Sequence, residues 1–238
     1  MDRRSMMVGA AAAGLAGAAR ADDGPGPARA FESGGRRIAV EWFAAEGGTP
    51  APAVLLLHGA DGLAFADRYR VAAGLISGAG YHVALPHYLD RTGERRVSYA
   101  TLRDQYPLWA GTVRDAVGWL AGQPGVAAGR LGLVGVSLGA ALALTVAADD
   151  TRVKAVVDTS GPLPEGLSGR LPPTLILHGE EDRIVPVSQA RAVARRLAEA
   201  GTPHEIQVYP GQGHALSGPA QFDAAARIAA FLGRHLGA

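Results

Sequence analysis

The chain has 238 residues, a formal net charge of +1 at pH 7 and no cysteine. That length suits one well-buried domain, and the near balance of charge provides no overall field to attract nucleic acid or an anionic membrane, so small molecules are the expected partners. The lack of cysteine excludes disulfides, thiolate metal ligands and a cysteine nucleophile.

The N-terminus opens with the basic pair Arg3-Arg4, continues as an Ala/Gly-rich apolar run from Val8 to Ala19, and reaches Ala19-Arg20-Ala21 before Asp22-Asp23. Basic, apolar, then small-x-small is the order of a cleavable export signal, expected over residues 1–21. The paired arginines suit the twin-arginine route, and an ordinary Sec signal is the alternative. The run is shorter than the roughly 20 apolar residues a membrane-spanning helix needs, so no stable membrane anchor is expected. The expected location is the periplasm or the exterior. A Gly/Pro-rich linker is expected over 22–30 and a single domain over 31–238.

From there the chain alternates short apolar runs with longer amphipathic ones, each change marked by Gly, Pro or Asp. Strands are expected at Arg37 to Phe43, Ala53 to His58, His82 to Leu85, Leu131 to Val136, Val153 to Asp158, Thr174 to His178 and Glu205 to Tyr209. Helices are expected at Asp67 to Ser77, Leu102 to Ala121, Leu138 to Ala148, Val187 to Ala200 and Pro219 to Leu236. Repeated strand–helix–strand order with continuous Val/Leu/Ile runs predicts a mostly parallel, doubly wound α/β sheet with helices on both faces. The intervening segments leave little room for a large lid, although Pro86 to Thr101 and Thr159 to Pro172 could border a site.

Gly135-Val136-Ser137-Leu138-Gly139 matches G-x-S-x-G. The pattern is weak alone, but here it falls between an apolar strand and an Ala/Leu helix. That context predicts a sharp turn with Ser137 above the sheet edge. A serine hydroxyl needs a base, and the base needs an orienting group. His214 follows the last strand through Pro210-Gly211-Gln212-Gly213, and Asp182 follows a late strand through Gly179-Glu180-Glu181. Glu180, Glu181 and Asp158 are the competing acids. The order Ser, Asp, His, each past the C-terminal end of a strand, suits a nucleophile, an orienting acid and a base. Donors for an oxyanion are expected from the backbone N–H of Leu138 and of Ala60, in Leu57-His58-Gly59-Ala60-Asp61-Gly62. Asp61 reads either as a turn residue or as part of the pocket mouth. His58 and His178 close apolar strands and read as packing or hydrogen-bonding residues.

From about Ala53 onward, these residues, with Gly78-Ala79-Gly80-Tyr81 and Pro86-His87-Tyr88-Leu89-Asp90-Arg91, resemble the dienelactone hydrolase family of α/β hydrolases. The resemblance implies a lidless α/β-hydrolase fold that needs no metal or organic cofactor. The namesake enzymes carry cysteine at the elbow, so Ser137 looks more like an esterase branch. Those enzymes hold a substrate carboxylate with two arginines. Arg91 resembles one of them, with a solvated loop residue as the other reading, and no arginine closely follows His214.

The expected function is cleavage of a carboxylic ester or lactone by Ser137, His214 and Asp182. Alternatives are an acyltransferase or peptidase on the same fold, and a non-catalytic binding protein.

Overall fold

The computed structural model describes residues 29–48 and 50–237. The expected signal segment lies outside these residues, as does most of the expected linker. The sheet begins earlier than the sequence suggests: β1 (Arg29–Ser33) includes Arg29 and Ala30 of the expected linker. It is a five-residue edge strand in which only Phe31 and Ser33 are buried, too short a pattern to stand out in the sequence.

The remaining strands are β2 (Arg36–Phe43), β3 (Ala51–Leu57), β4 (His82–Pro86), β5 (Val126–Val136), β6 (Val153–Thr159), β7 (Thr174–Gly179) and β8 (His204–Tyr209). The helices are α1 (Ala66–Gly78), α2 (Leu102–Ala121), α3 (Leu138–Ala147), α4 (Ser188–Glu199) and α5 (Gly218–Leu236), with a 3-10 turn at Tyr88–Arg91. The eight strands form one sheet in the order β1-β2-β4-β3-β5-β6-β7-β8. β1 and β2 form an antiparallel hairpin, β2 is antiparallel to β4, and every pairing from β4 to β8 is parallel.

Parallel strands need helical crossovers, and these cover both faces. One apolar layer joins Ala53, Leu55 and Leu57 of β3 to side chains of α2, α3 and α4; the other joins Val54 and Leu56 to α1 and α5. β3 is therefore buried along its whole length, which explains a continuous apolar run in place of an alternating one. Pro52 lacks an N–H for the ladder, and the β3–β5 register shifts between Ala51 and Ala53, on either side of it. α4 needs only a stripe, Ala190, Val193 and Leu197, whereas α3 is buried nearly all round and is apolar except for Thr145. The central parallel strands end on one rim, and the loops that leave them there carry the residues considered next.

Candidate active site

Ser137 occupies the turn from β5 into α3 with φ 54 and ψ −117, a conformation L-residues rarely adopt. Such backbone costs on the order of 1–3 kcal/mol and persists only where the surroundings fix it. Here the Ser137 N–H donates to the carbonyl of Thr159 (2.9 Å), and the Ser137 carbonyl accepts the N–H groups of Ala140 (3.0 Å) and Ala141 (3.2 Å). The flanking glycines are a steric requirement. A Cβ on Gly139 would collide with the carbonyl oxygens of Leu57 and His58, and one on Gly135 would lie 2.5 Å from the nitrogen and Cα of Ala140. β5 and α3 are thus drawn together until no side chain fits between them, and the partly exposed Ser137 is presented at the rim.

Asp182 and His214 meet across the loops after β7 and β8. His214 Nδ1–H donates to Asp182 Oδ2 at 2.7 Å, with the imidazole 23% exposed and the carboxylate fully buried. The other carboxylate oxygen accepts the N–H groups of Ile184 (2.8 Å) and Val185 (2.9 Å). Burial pushes the Asp182 carboxyl up, but the bonds from His214, Val185 and Ile184 outweigh it and leave its pKa below the usual value, so it is ionised at neutral pH. The competing acids are placed differently. Glu180 and Glu181 are exposed. Asp158 is fully buried within β6, accepts the Gly161 N–H (2.9 Å), and is pushed to about 7 by burial, with that hydrogen bond opposing.

Three further contacts hold this arrangement; the sequence marked His178 as a packing or hydrogen-bonding residue and carried no local sign of the other two. Ser160, buried at φ 55, donates its hydroxyl to the His214 carbonyl (2.9 Å), tying the end of β6 to the histidine loop. A Cβ on Gly179 would strike the carbonyls of Gln212 and Gly213, so the end of β7 presses on that same loop. His178, which closes β7, is fully buried with Nε2 2.8 Å from the Val185 carbonyl and 3.2 Å from Asp182 Oδ2. Both partners are acceptors, so His178 carries its proton on Nε2. A direct hydrogen bond between Ser137 Oγ and His214 is not formed among the described residues; Thr159 and Ser160 lie between their two segments.

Leu138 is the first residue of α3, so its N–H has no partner inside the helix. Ala60 lies in the loop after β3. That loop is fixed from three sides: the Gly59 N–H donates to Tyr69 Oη (2.9 Å), the Ala60 carbonyl accepts the Val97 N–H (2.8 Å), and His58 stacks on Tyr88 with centroids 4.1 Å apart. Burial holds the His58 imidazole at about 4, so it is neutral and serves as the packing residue expected. Arg91 packs on the β1–β2 turn. Asp90 accepts the Ala39 N–H (3.0 Å), which anchors the 3-10 turn on β2, and the Arg91 guanidinium fills the space beside Gly34 in the β1–β2 turn.

A strand-to-helix turn that holds a serine at positive φ over the rim of such a sheet defines a protein of the α/β-hydrolase type. The chain belongs to the dienelactone hydrolase family, whose model matches residues 40–231. It is 32% identical over 184 residues to a Mycobacterium tuberculosis H37Rv protein described only provisionally as a phosphoribosyl transferase. That match covers 76% of this chain, which itself spans 40% of that relative's length. Among solved structures, it is similar to a dienelactone hydrolase from Anabaena variabilis (TM-score 0.71, 22% identity, 88% of this chain and 97% of that one). It also resembles a dienelactone hydrolase-like promiscuous phosphotriesterase from metagenomic libraries (TM-score 0.77, 20% identity, 89% and 98%). At these identities the two structures speak for the fold.

Proposed function

We propose that the protein is a serine hydrolase that cleaves a carboxylic ester or lactone by two-step acyl transfer. The reading is supported most by one observation: a strained serine at the elbow and a 2.7 Å carboxylate–imidazole pair are held on the same sheet rim. His214 Nε2 takes the hydroxyl proton as Ser137 attacks the carbonyl carbon, and the N–H groups of Leu138 and Ala60 hold the developing oxyanion. Asp182 keeps the histidine proton on Nδ1, leaves Nε2 free as the base, and stabilises the imidazolium. His214 then returns its proton to the leaving alcohol, and a water that it activates releases the acid.

The test is turnover of p-nitrophenyl acetate and of a simple lactone by the purified chain. A burst of p-nitrophenol with one equivalent per chain, abolished in Ser137→Ala, is the expected result; equal turnover in wild type and Ser137→Ala would overturn the reading. Export is proposed on the N-terminal pattern alone. N-terminal sequencing of the chain from fractionated cells should find Asp22 first, and an intact Met1 would refute it.

A further inference from the structure

Asp61 follows the oxyanion loop, and two features place its carboxylate at the proposed nucleophile. The point where a Cβ on Gly59 would stand lies 3.0 Å from Asp61 Oδ1, 3.5 Å from the Ser137 Cβ and 3.5 Å from Tyr69 Oη. Carboxylate and nucleophile thus flank one small space. In addition, no arginine, lysine or histidine pairs with Asp61 among the described residues. The nearest arginine in sequence, Arg68, lies over the Phe65 ring, 5.3 Å from its centroid, and the Arg91 guanidinium stands against Gly34.

A turn role does not account for this side chain. The turn bonds here are backbone to backbone, Gly62 N–H to the Gly59 carbonyl (3.1 Å) and Ala64 N–H to the Asp61 carbonyl (3.4 Å), and neither uses the carboxylate. Tyr69 cannot neutralise it either. Its hydroxyl is pushed to about 12, chiefly by burial, with the Gly59 N–H opposing and both the charge and the hydrogen bonding of the Asp61 carboxylate adding to the rise, so Tyr69 faces Asp61 as a neutral donor that leaves its charge in place. A partly exposed carboxylate with no arginine, lysine or histidine nitrogen within 4.0 Å among the described residues acts on whatever charge the substrate brings.

We propose that Asp61 is the charge-selecting residue of this site: it favours esters or lactones that are cationic or neutral near the scissile carbonyl and repels anionic ones. This rests on the hydrolase reading above and deepens it. Arg91, the residue that the family resemblance offered for a substrate carboxylate, is turned to the β1–β2 hairpin, and a carboxylate stands beside Ser137. Substrates of the carboxylate-bearing kind are thereby disfavoured.

The test uses three acetyl thioesters with the same acyl group: acetylthiocholine (cationic), S-butyl thioacetate (neutral) and S-acetyl-3-mercaptopropionate (anionic). The chain has no cysteine, so a disulfide reagent sees only the released thiol. At low ionic strength the kcat/KM ratio of cationic to anionic thioester should exceed about 10 in the wild type and fall about tenfold in Asp61→Asn. It should be retained in Asp61→Glu and shrink in the wild type as salt is added. Each variant is compared with its own turnover of the neutral thioester, so partial loss of folded protein cancels. A ratio unchanged in Asp61→Asn, with the neutral thioester still cleaved, overturns the charge role alone. Absence of turnover of all three by the wild type, or turnover that survives Ser137→Ala, overturns the hydrolase reading and this inference with it.

Discussion

His214 and Asp182 share a 2.7 Å hydrogen bond between residues 32 apart in the chain, and the carboxylate in it is wholly buried while the imidazole reaches solvent. The asymmetry is the one the proposed mechanism asks of a fixed acceptor behind a base that meets substrate. It also makes the pair sensitive to which group donates.

Asp182→Asn should separate geometry from tautomer. An amide oxygen can still accept the N–H groups of Ile184 and Val185, so the loop should hold. The amide cannot serve as an ionised acceptor, so kcat should fall on the order of 10³–10⁴-fold with KM changed much less. Steady-state ester kinetics, with thermal melting as a check on the fold, would measure this; a loss below about tenfold would remove Asp182 from the mechanism.

Tyr69→Phe should loosen the loop that carries Ala60, the proposed oxyanion donor. The substitution deletes the acceptor of the buried Gly59 N–H and leaves a donor unsatisfied, at about 1–3 kcal/mol. Because Gly59 precedes Ala60, kcat should drop by more than the fall in Tm alone accounts for. An unchanged melting curve would contradict the buried bond.

Two glycine-to-alanine changes should act in opposite directions. In Gly139→Ala the new methyl meets the carbonyl oxygens of Leu57 and His58, so the elbow must open; a loss of several kcal/mol or failure to fold is expected. Gly111 lies inside α2 with open space at its Cβ, so Gly111→Ala should stabilise by about 0.5–1 kcal/mol through helix propensity. Denaturant midpoints would read both signs.

Asp158 and His58 should give stability opposing slopes with pH. Asp158 titrates at about 7 in the fold against an ordinary 3.8, so its stabilisation is complete below about pH 4 and is lost as the pH rises through 7. His58 is held at about 4 against 6.5, so its contribution is complete above about 6.5 and is lost as the pH falls through 4. Asp158→Asn keeps an acceptor for the Gly161 N–H without ionising. The Tm difference between this variant and wild type should therefore grow in the variant's favour from about pH 5 to about pH 8. Calorimetry at several pH values would show it, and a difference constant with pH would mean that Asp158 does not titrate in this range.

The sequence by itself determined most of the framework. Seven of the strands and all five long helices follow from apolar periodicity and Gly/Pro punctuation, because a pleated strand or a helix imposes its period on neighbours in the chain. Ser137 was legible for the same local reason, since Gly135 and Gly139 announce that two backbones pass too closely for a Cβ. Asp182 is preferred to Glu180 and Glu181 on its loop position, and burial, which sequence spacing does not encode, is what sets the three apart in the fold. The tertiary structure alone decided that His178 reaches Asp182, that Ser160 holds the histidine loop, that Arg91 turns to the β1–β2 hairpin, and that Asp61 stands beside Ser137. The register of the parallel strands sets where each loop leaves the rim, and loop packing then aims each side chain. Such meetings join segments tens of residues apart, beyond the reach of any local pattern.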